Sequence, residues 1–364
     1  MTTNGKRKLF IVDIEPLDNR YTKQWKDHIP TLAKNLVGEQ FDIIEVSGKA
    51  EGYNKPQAGA FFDFAATCEY KASQAYLISR YFQDGLVCPD DVFFFTDAWN
   101  QTIHTVKYIS ELNDIPVKCA GIWHAGWYDP TDILGLKIKS TRWAWHLESS
   151  MFEAYDMNFF GTQQHLDKFL KVHRYIHDVD VKRTAVCGYP LEWISALRNN
   201  NKKENIVVFP HRLNEDKAPW IFDRLEDLVT RVRPDIKFAK TQTMNMSKDE
   251  YYEFLKKCKV VFSANKHENL GIGTFEAMSA GCLPIVPNKL SYQEMYSPVF
   301  KYDLLDTDLY SDFGVYEADI AKMIIEFIDN YESINLKEQW LDDVVRIQHD
   351  FFSGDGLFEA ISLL

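Results

Sequence analysis

Two glutamates, Glu268 and Glu276, stand with seven residues between them in the stretch SANKHENLGIGTFEAMSAGCLPIVP, residues 263–287. An apolar strand over 260–263, a loop carrying Gly271 and Gly273, and a helix opening near Thr274 would aim free backbone N–H groups and a positive helix end at one spot. Such a spot binds an anion. The two carboxylates flank it with acceptors suited to hydroxyl groups, so the ligand that fits is a phosphate bearing sugars on both sides, as in a nucleotide sugar. A plainer reading stays open: loop glycines beside a helix are common, and a first-turn glutamate also complements the helix dipole.

The run HRLNEDK, residues 211–217, follows another apolar run, at a place where strand ends of open α/β sheets face a ligand crevice. Arg212 offers a planar fork and Lys217 a compact charge, a pair suited to a diphosphate that leaves carrying negative charge. Taken alone, the two also make an ordinary surface salt-bridge pattern. In the first half, FFFTDAWN (93–100) and GIWHAGWYDP (121–130) place Asp97 and His124 just after apolar runs, where both tips should open on the crevice. Trp99, Trp123, Trp127, Tyr128, Trp143 and Trp145 gather around these tips. Exposed, they would stack on a sugar or a base; buried, they are core.

The elements that position these groups alternate short apolar runs with longer amphipathic stretches, the pattern of parallel sheets covered by helices on both faces. The fold class is α/β. Strands are expected at 9–13, 41–46, 92–96, 117–123, 157–161 and 184–187, with helices at 60–82, 99–112, 141–155 and 163–175. The polar run RNNNKKEN, residues 198–205, reads as a linker. Beyond it, strands are expected at 206–210, 236–241, 260–263 and 283–286, and helices at 218–233, 248–257, 274–279 and 318–331, with a last helix over about 336–350.

A chain of 364 residues and 46% hydrophobic content supports two domains with separate cores. The six cysteines form no C-x-x-C pair, which suggests reduced thiols in the cytoplasm and neither a disulfide framework nor a zinc site. Lys6, Arg7 and Lys8 precede an apolar run that ends at Asp13, too short for a signal peptide or a membrane span. A net charge of −12 argues against a protein that coats nucleic acid non-specifically. A local basic groove remains compatible with it: Lys137, Lys139, Arg142, Lys168, Lys171, His173, Arg174, Lys182 and Arg183 concentrate positive charge, unless they are simply solvated helix faces.

ENLGIGTFEAMSAGCLPIV resembles the E-x(7)-E signature of family 4 retaining glycosyltransferases, and HRLNEDK resembles that family's R-L-x-x-x-K element. The resemblance implies a GT-B fold, two Rossmann-like doubly wound parallel-sheet domains facing a crevice. It divides the chain into an acceptor-binding domain (1–197), a nucleotide-sugar-binding domain (198–333) and a C-terminal helix packing back on the first (334–364). Glu268 would lie by the donor sugar, the Asn269, Leu270 and Gly271 backbone would cover sugar and phosphates with Thr274 nearby, and Glu276 would bind the ribose. Arg212 and Lys217 would hold the diphosphate. Asp97 and His124 would act beside Glu268 in catalysis. The usual G-x-P is here Gly281-Cys282-Leu283-Pro284, one residue longer.

The usual glycine pair after the first strand is replaced by DIEPLDNRY, residues 13–21, which should shape an unusual acceptor site with Arg20, Tyr21, Trp99, Trp123 and Trp127. TDAWN, WHAGWYDP and the second-domain motifs are also similar to transferases that mannosylate queuosine in transfer RNA, and more loosely to phage enzymes that glucosylate hydroxymethylcytosine in DNA. The expectation is a UDP- or GDP-sugar as co-substrate, no other cofactor and no essential metal. The acceptor is expected to be a modified nucleobase, hydroxymethylated pyrimidine in phage DNA ahead of transfer RNA, with no membrane partner. Asp178-Val179-Asp180 lacks the context of a metal-binding D-x-D. An epimerase or phosphorylase on the same fold, a saccharide acceptor, or a non-catalytic nucleotide-sugar binder are the alternatives. Release of nucleoside diphosphate without acceptor separates the enzymes from the binder.

Overall fold

The computed structural model describes residues 5–17, 20–51, 63–139, 141–173, 181–199, 201–303 and 313–364. By internal contacts the chain forms two units, Met1–Pro190 with Ser353–Leu364, and Leu191–Phe352. The divisions lie at 190/191 and 352/353, beside the 197/198 and 333/334 suggested by sequence.

The first unit runs β1 (Arg7–Val12), α1 (Tyr21–Val37), β2 (Phe41–Val46), α2 (Phe64–Gln83), β3 (Val92–Phe95), α3 (Thr102–Leu112), β4 (Lys118–Ile122), α4 (Ile133–Lys137), α5 (Thr141–Ala154), β5 (Met157–Phe160), α6 (Gln163–His173) and β6 (Thr184–Val186). The strands form a parallel sheet in the order β2-β1-β3-β4-β5-β6. β3, the sequence VFFF, is inaccessible throughout, as a parallel strand covered on both faces requires. Strand order reverses between β1 and β3, so the loops leaving these two strands diverge and leave a crevice at their carboxyl ends. Asp13 and Glu15 leave β1 there; Thr96 and Asp97 leave β3.

The second unit runs β7 (Glu204–Phe209), α7 (Pro219–Val232), β8 (Lys237–Lys240), α8 (Lys248–Leu255), β9 (Cys258–Phe262), α9 (Ile272–Ser279), β10 (Leu283–Pro287), α10 (Tyr292–Met295), β11 (Lys301–Tyr302), α11 (Phe313–Asp329) and α12 (Ile334–Phe351); α13 (Asp355–Ser362) returns to the first unit. Its parallel sheet has the order β11-β10-β9-β7-β8. The reversal here falls between β7 and β9, whose following loops are HRLNEDK and SANKHENLG.

The structure adds α1, which the sequence reading did not name. It buries Thr22, Trp25, Ile29, Ala33 and Val37 on one face despite an internal Pro30. α3 starts at Thr102 and not at Trp99, because the Asn100 side chain accepts the Thr102 N–H and the Asp97 carboxylate accepts the Trp99 N–H, fixing a turn. Positions 18, 19, 60–62, 174 and 178–180, on which parts of the sequence reading rested, lie outside the described residues.

Candidate donor and acceptor sites

In the second unit, β9 ends at Phe262 and the chain turns back through Asn265 and Glu268 to Gly271, whose φ of 73° caps α9 in the left-handed region. A Cβ there would come within 2.8 Å of the Tyr292 ring, so glycine answers both conformation and space. The Glu268 carboxylate accepts from the N–H groups of Asn269 (3.2 Å) and Leu270 (3.4 Å), from Asn265 Nδ2 (2.9 Å) and from Lys217 Nζ (3.2 Å). The amides expected to cover a diphosphate therefore already hold an anion, this carboxylate. Burial pushes its pKa up, but the Lys217 ammonium, His211 and the Gly271 N–H outweigh that and bring it to about 2.

Lys217 is 6% exposed and also donates to the His267 carbonyl at 2.5 Å. Arg212 is looser: its side chain is 39% exposed and lies 3.8 Å from Asp216. His211, on the same loop, is buried, and its Nε2 has no hydrogen-bond partner among the described residues. Burial and the neighbouring Lys217 lower its pKa to about 3, keeping the imidazole neutral. Asn265 Oδ1 is likewise buried without a partner among the described residues. Unsatisfied buried polar atoms are rare, and two of them around one carboxylate mark a place where a ligand fits.

Glu276 lies one turn deeper in α9 than expected, with the Lys248 ammonium at 2.6 Å and the hydroxyls of Tyr252 (2.9 Å) and Tyr251 (3.1 Å) donating to it. These partners come from α8, whose start is fixed by a capping box between Ser247 and Glu250. Thr274 needs a correction as a donor-binding residue. It is fully buried, with its hydroxyl beside that of Tyr292, because the side chain turns into the unit behind the loop. Leu270, also buried, can serve only through its backbone.

In the first unit, Asp97 forms a buried ion pair with Lys71 Nζ at 2.7 Å, and the same ammonium donates to the Trp99 carbonyl. Burial raises the Asp97 pKa, yet Lys71 and His124 outweigh it and leave it below the usual carboxylate value. His124 Nε2–H donates to the Thr96 carbonyl (2.7 Å), which leaves Nδ1 to accept from the Tyr21 hydroxyl (2.9 Å). Burial lowers the His124 pKa, so it rests as the neutral imidazole. Tyr21 thus joins His124, while Arg20 stands at the N-cap of α1.

The aromatic tips divide. Trp123 is corrected from acceptor contact to core: it is fully buried, stacked on Phe160, with its indole N–H on Asn158, so it offers no face. Trp99 and Trp127 are half-buried and donate to Glu148 and to the Ile138 carbonyl, while Trp143 is exposed. The basic stretch is also reduced. Lys168 pairs with Asp129, His173 is buried against Glu148, and Arg183 pairs with Glu153, leaving Lys139, Arg142, Lys171 and Lys182 exposed.

Sequence reasoning did not single out His211, Asn265, Lys248, Tyr251, Tyr252 or Tyr292 as site residues. The Ser247-x-x-Glu250 box would have located the start of α8, but its pairing with Glu276 is tertiary.

No family model matches the chain. A stretch of 113 residues is 40% identical to a tRNA-queuosine alpha-mannosyltransferase of Drosophila melanogaster, covering 25% of this chain and 30% of that protein. Sucrose-phosphate synthase from Thermosynechococcus elongatus has a TM-score of 0.62 at 11% identity, covering 98% of each chain. An alpha,alpha-trehalose-phosphate synthase (UDP-forming) from Burkholderia vietnamiensis has a TM-score of 0.62 at 9% identity, covering 99% of this chain and 97% of that one. The pneumococcal O-GlcNAc transferase GtfA, in complex with UDP and GlcNAc, gives 0.52 at 12% identity over 78% of this chain and 58% of that chain. The fold is GT-B, with two parallel-sheet α/β domains.

Proposed function

We propose that this chain is a retaining glycosyltransferase that moves a sugar from a UDP- or GDP-sugar to a hydroxyl on a modified nucleobase. The observation that carries the reading is the loop after β9, where backbone N–H groups and Lys217 gather around an anion with His211 and Arg212 beside it. Arg212 and Lys217 neutralise the departing diphosphate, and a positioned, partly buried cation does so without reorganisation as charge develops. Glu276 takes a ribose hydroxyl in exchange for one of its α8 partners. Structures of similar fold described with UDP, or as UDP-forming, support a nucleotide-sugar donor.

For the acceptor, the mannosyltransferase match favours queuosine in transfer RNA over hydroxymethylated DNA, which the motif pattern alone placed first. Six free cysteines support work in a reducing cytoplasm, and no helix among the described residues is long and apolar enough to cross a membrane. The test is mass spectrometry of nucleosides after incubation with GDP-mannose or UDP-glucose and either queuosine-containing transfer RNA or hydroxymethylated DNA. A hexose mass on queuosine is expected. Transfer to free saccharides alone would reject a nucleobase acceptor.

A further inference from the structure

The first unit holds two buried carboxylates in opposite situations. Glu148 is inaccessible and fully engaged: it accepts from the backbone N–H groups of Trp127 and Tyr128, the Trp99 indole and His173, and so ties the loop after β4 to α5 and α6. That is what a carboxylate kept for structure looks like. Glu15 is 1% exposed, yet neither of its oxygens has a hydrogen-bond partner among the described residues. The hydroxyl of Thr67 on α2 is buried and also without a partner among those residues.

The partners that might have served Glu15 are committed elsewhere. Lys71 acts on its charge, but the ammonium donates to Asp97 and to the Trp99 carbonyl. Asp13, two residues earlier, takes the hydroxyls of Ser47 and Tyr70 and the amide of Gln74. The loop itself is fixed, since the Ile14 N–H donates to the Thr96 hydroxyl and the Thr96 N–H to the Val12 carbonyl. Glu15 is thus held at the β1/β3 reversal, where ligands of open α/β sheets bind. A buried acceptor left empty in the folded chain is destabilising unless something completes it.

We propose that Glu15, with Thr67 beside it, binds a hydroxyl of the sugar acceptor, the ligand donating a hydrogen bond to the carboxylate that the protein leaves unpaired. The inference rests on the reading of the chain as a transferase acting on a hydroxyl-bearing acceptor. It makes Glu15 an acceptor-binding residue of the loop that replaces the usual glycine pair.

Glu15→Met and Glu15→Gln test it by three measurements on the full chain. Melting temperature should stay level or rise, by about 2–4 °C for Met, because an unpaired buried carboxylate is removed. Calorimetric affinity for UDP and GDP should not change. The KM for queuosine-containing transfer RNA or hydroxymethylated DNA, whichever the wild type accepts, should rise about 10-fold or more for Met, as expected for a lost hydrogen bond to a charged group. A fall in melting temperature in both variants, or an unchanged acceptor KM, overturns the proposal. If the wild type modifies neither nucleic acid, the nucleobase reading fails on its own, and the melting temperatures still decide whether the carboxylate is structural.

Discussion

Arg212 and Lys217 leave the same loop with different degrees of commitment. Lys217 is buried on Glu268 and the His267 carbonyl, whereas the exposed guanidinium of Arg212 has only a distant Asp216. Arg212→Ala should therefore weaken UDP or GDP binding by about 1.5–3 kcal/mol with little change in melting temperature, while Lys217→Ala should lower both. Equal thermal losses in the two variants would contradict that division. His211 gives a pH signature. Its folded pKa of about 3 lies below the ordinary 6.5, so its contribution is fully present above pH 6.5 and is lost as pH falls towards 3. Glu268, at about 2 against 4.5, adds a loss below pH 4.5. His211→Gln should flatten melting temperature between pH 6.5 and 4.5, and a slope equal to wild type would refute the buried neutral imidazole. At this scale the sequence displays residue types but not their partners. Trp123 and Trp99 occupy equivalent strand tips in the sequence, yet one is core and the other half-exposed, because only the packing of α5 and α6 decides.

α8 is the element on which Glu276 depends, since its first residue, Lys248, and its two tyrosines hold the carboxylate. Removing the cap by Ser247→Ala should cost about 1 kcal/mol and lower melting temperature by about 2–4 °C. Nucleotide affinity should fall less than in Glu276→Ala; an unaffected melting curve would show that α8 does not rely on its cap. Elements with a strong period were legible to within a few residues: β2 and α5 begin where the alternation of apolar runs places them, and the strand–loop–helix around Gly271 could be read from its glycines. α1 was not. Trp25, Ile29, Ala33 and Val37 recur every fourth residue, but Pro30 and the interspersed charges hide the helix, whose stability comes from the sheet it covers. The pairing of Lys71 with Asp97 was equally hidden, since it joins α2 to the end of β3.

For the molecule as a whole, alternation along the chain and the two post-strand motifs sufficed to foresee two parallel-sheet units, because each sheet reverses its order where those motifs leave it. The acceptor was not legible, since the loop that should define it departs from the family pattern. With a net charge of −12 and much of the basic stretch paired internally, nucleic-acid affinity should fall with salt along a shallow slope, corresponding to few phosphate contacts. A steep slope in binding titrations from low to physiological salt would instead mean a basic surface beyond Lys139, Arg142, Lys171 and Lys182. The donor site is the centre of the account, and isothermal titration of the wild-type chain with UDP and GDP tests it most directly. We expect one of the two to bind with a Kd in the micromolar range, about −7 to −8 kcal/mol, and Arg212→Ala to weaken it; no detectable heat of binding from either nucleotide at millimolar concentration would contradict the account.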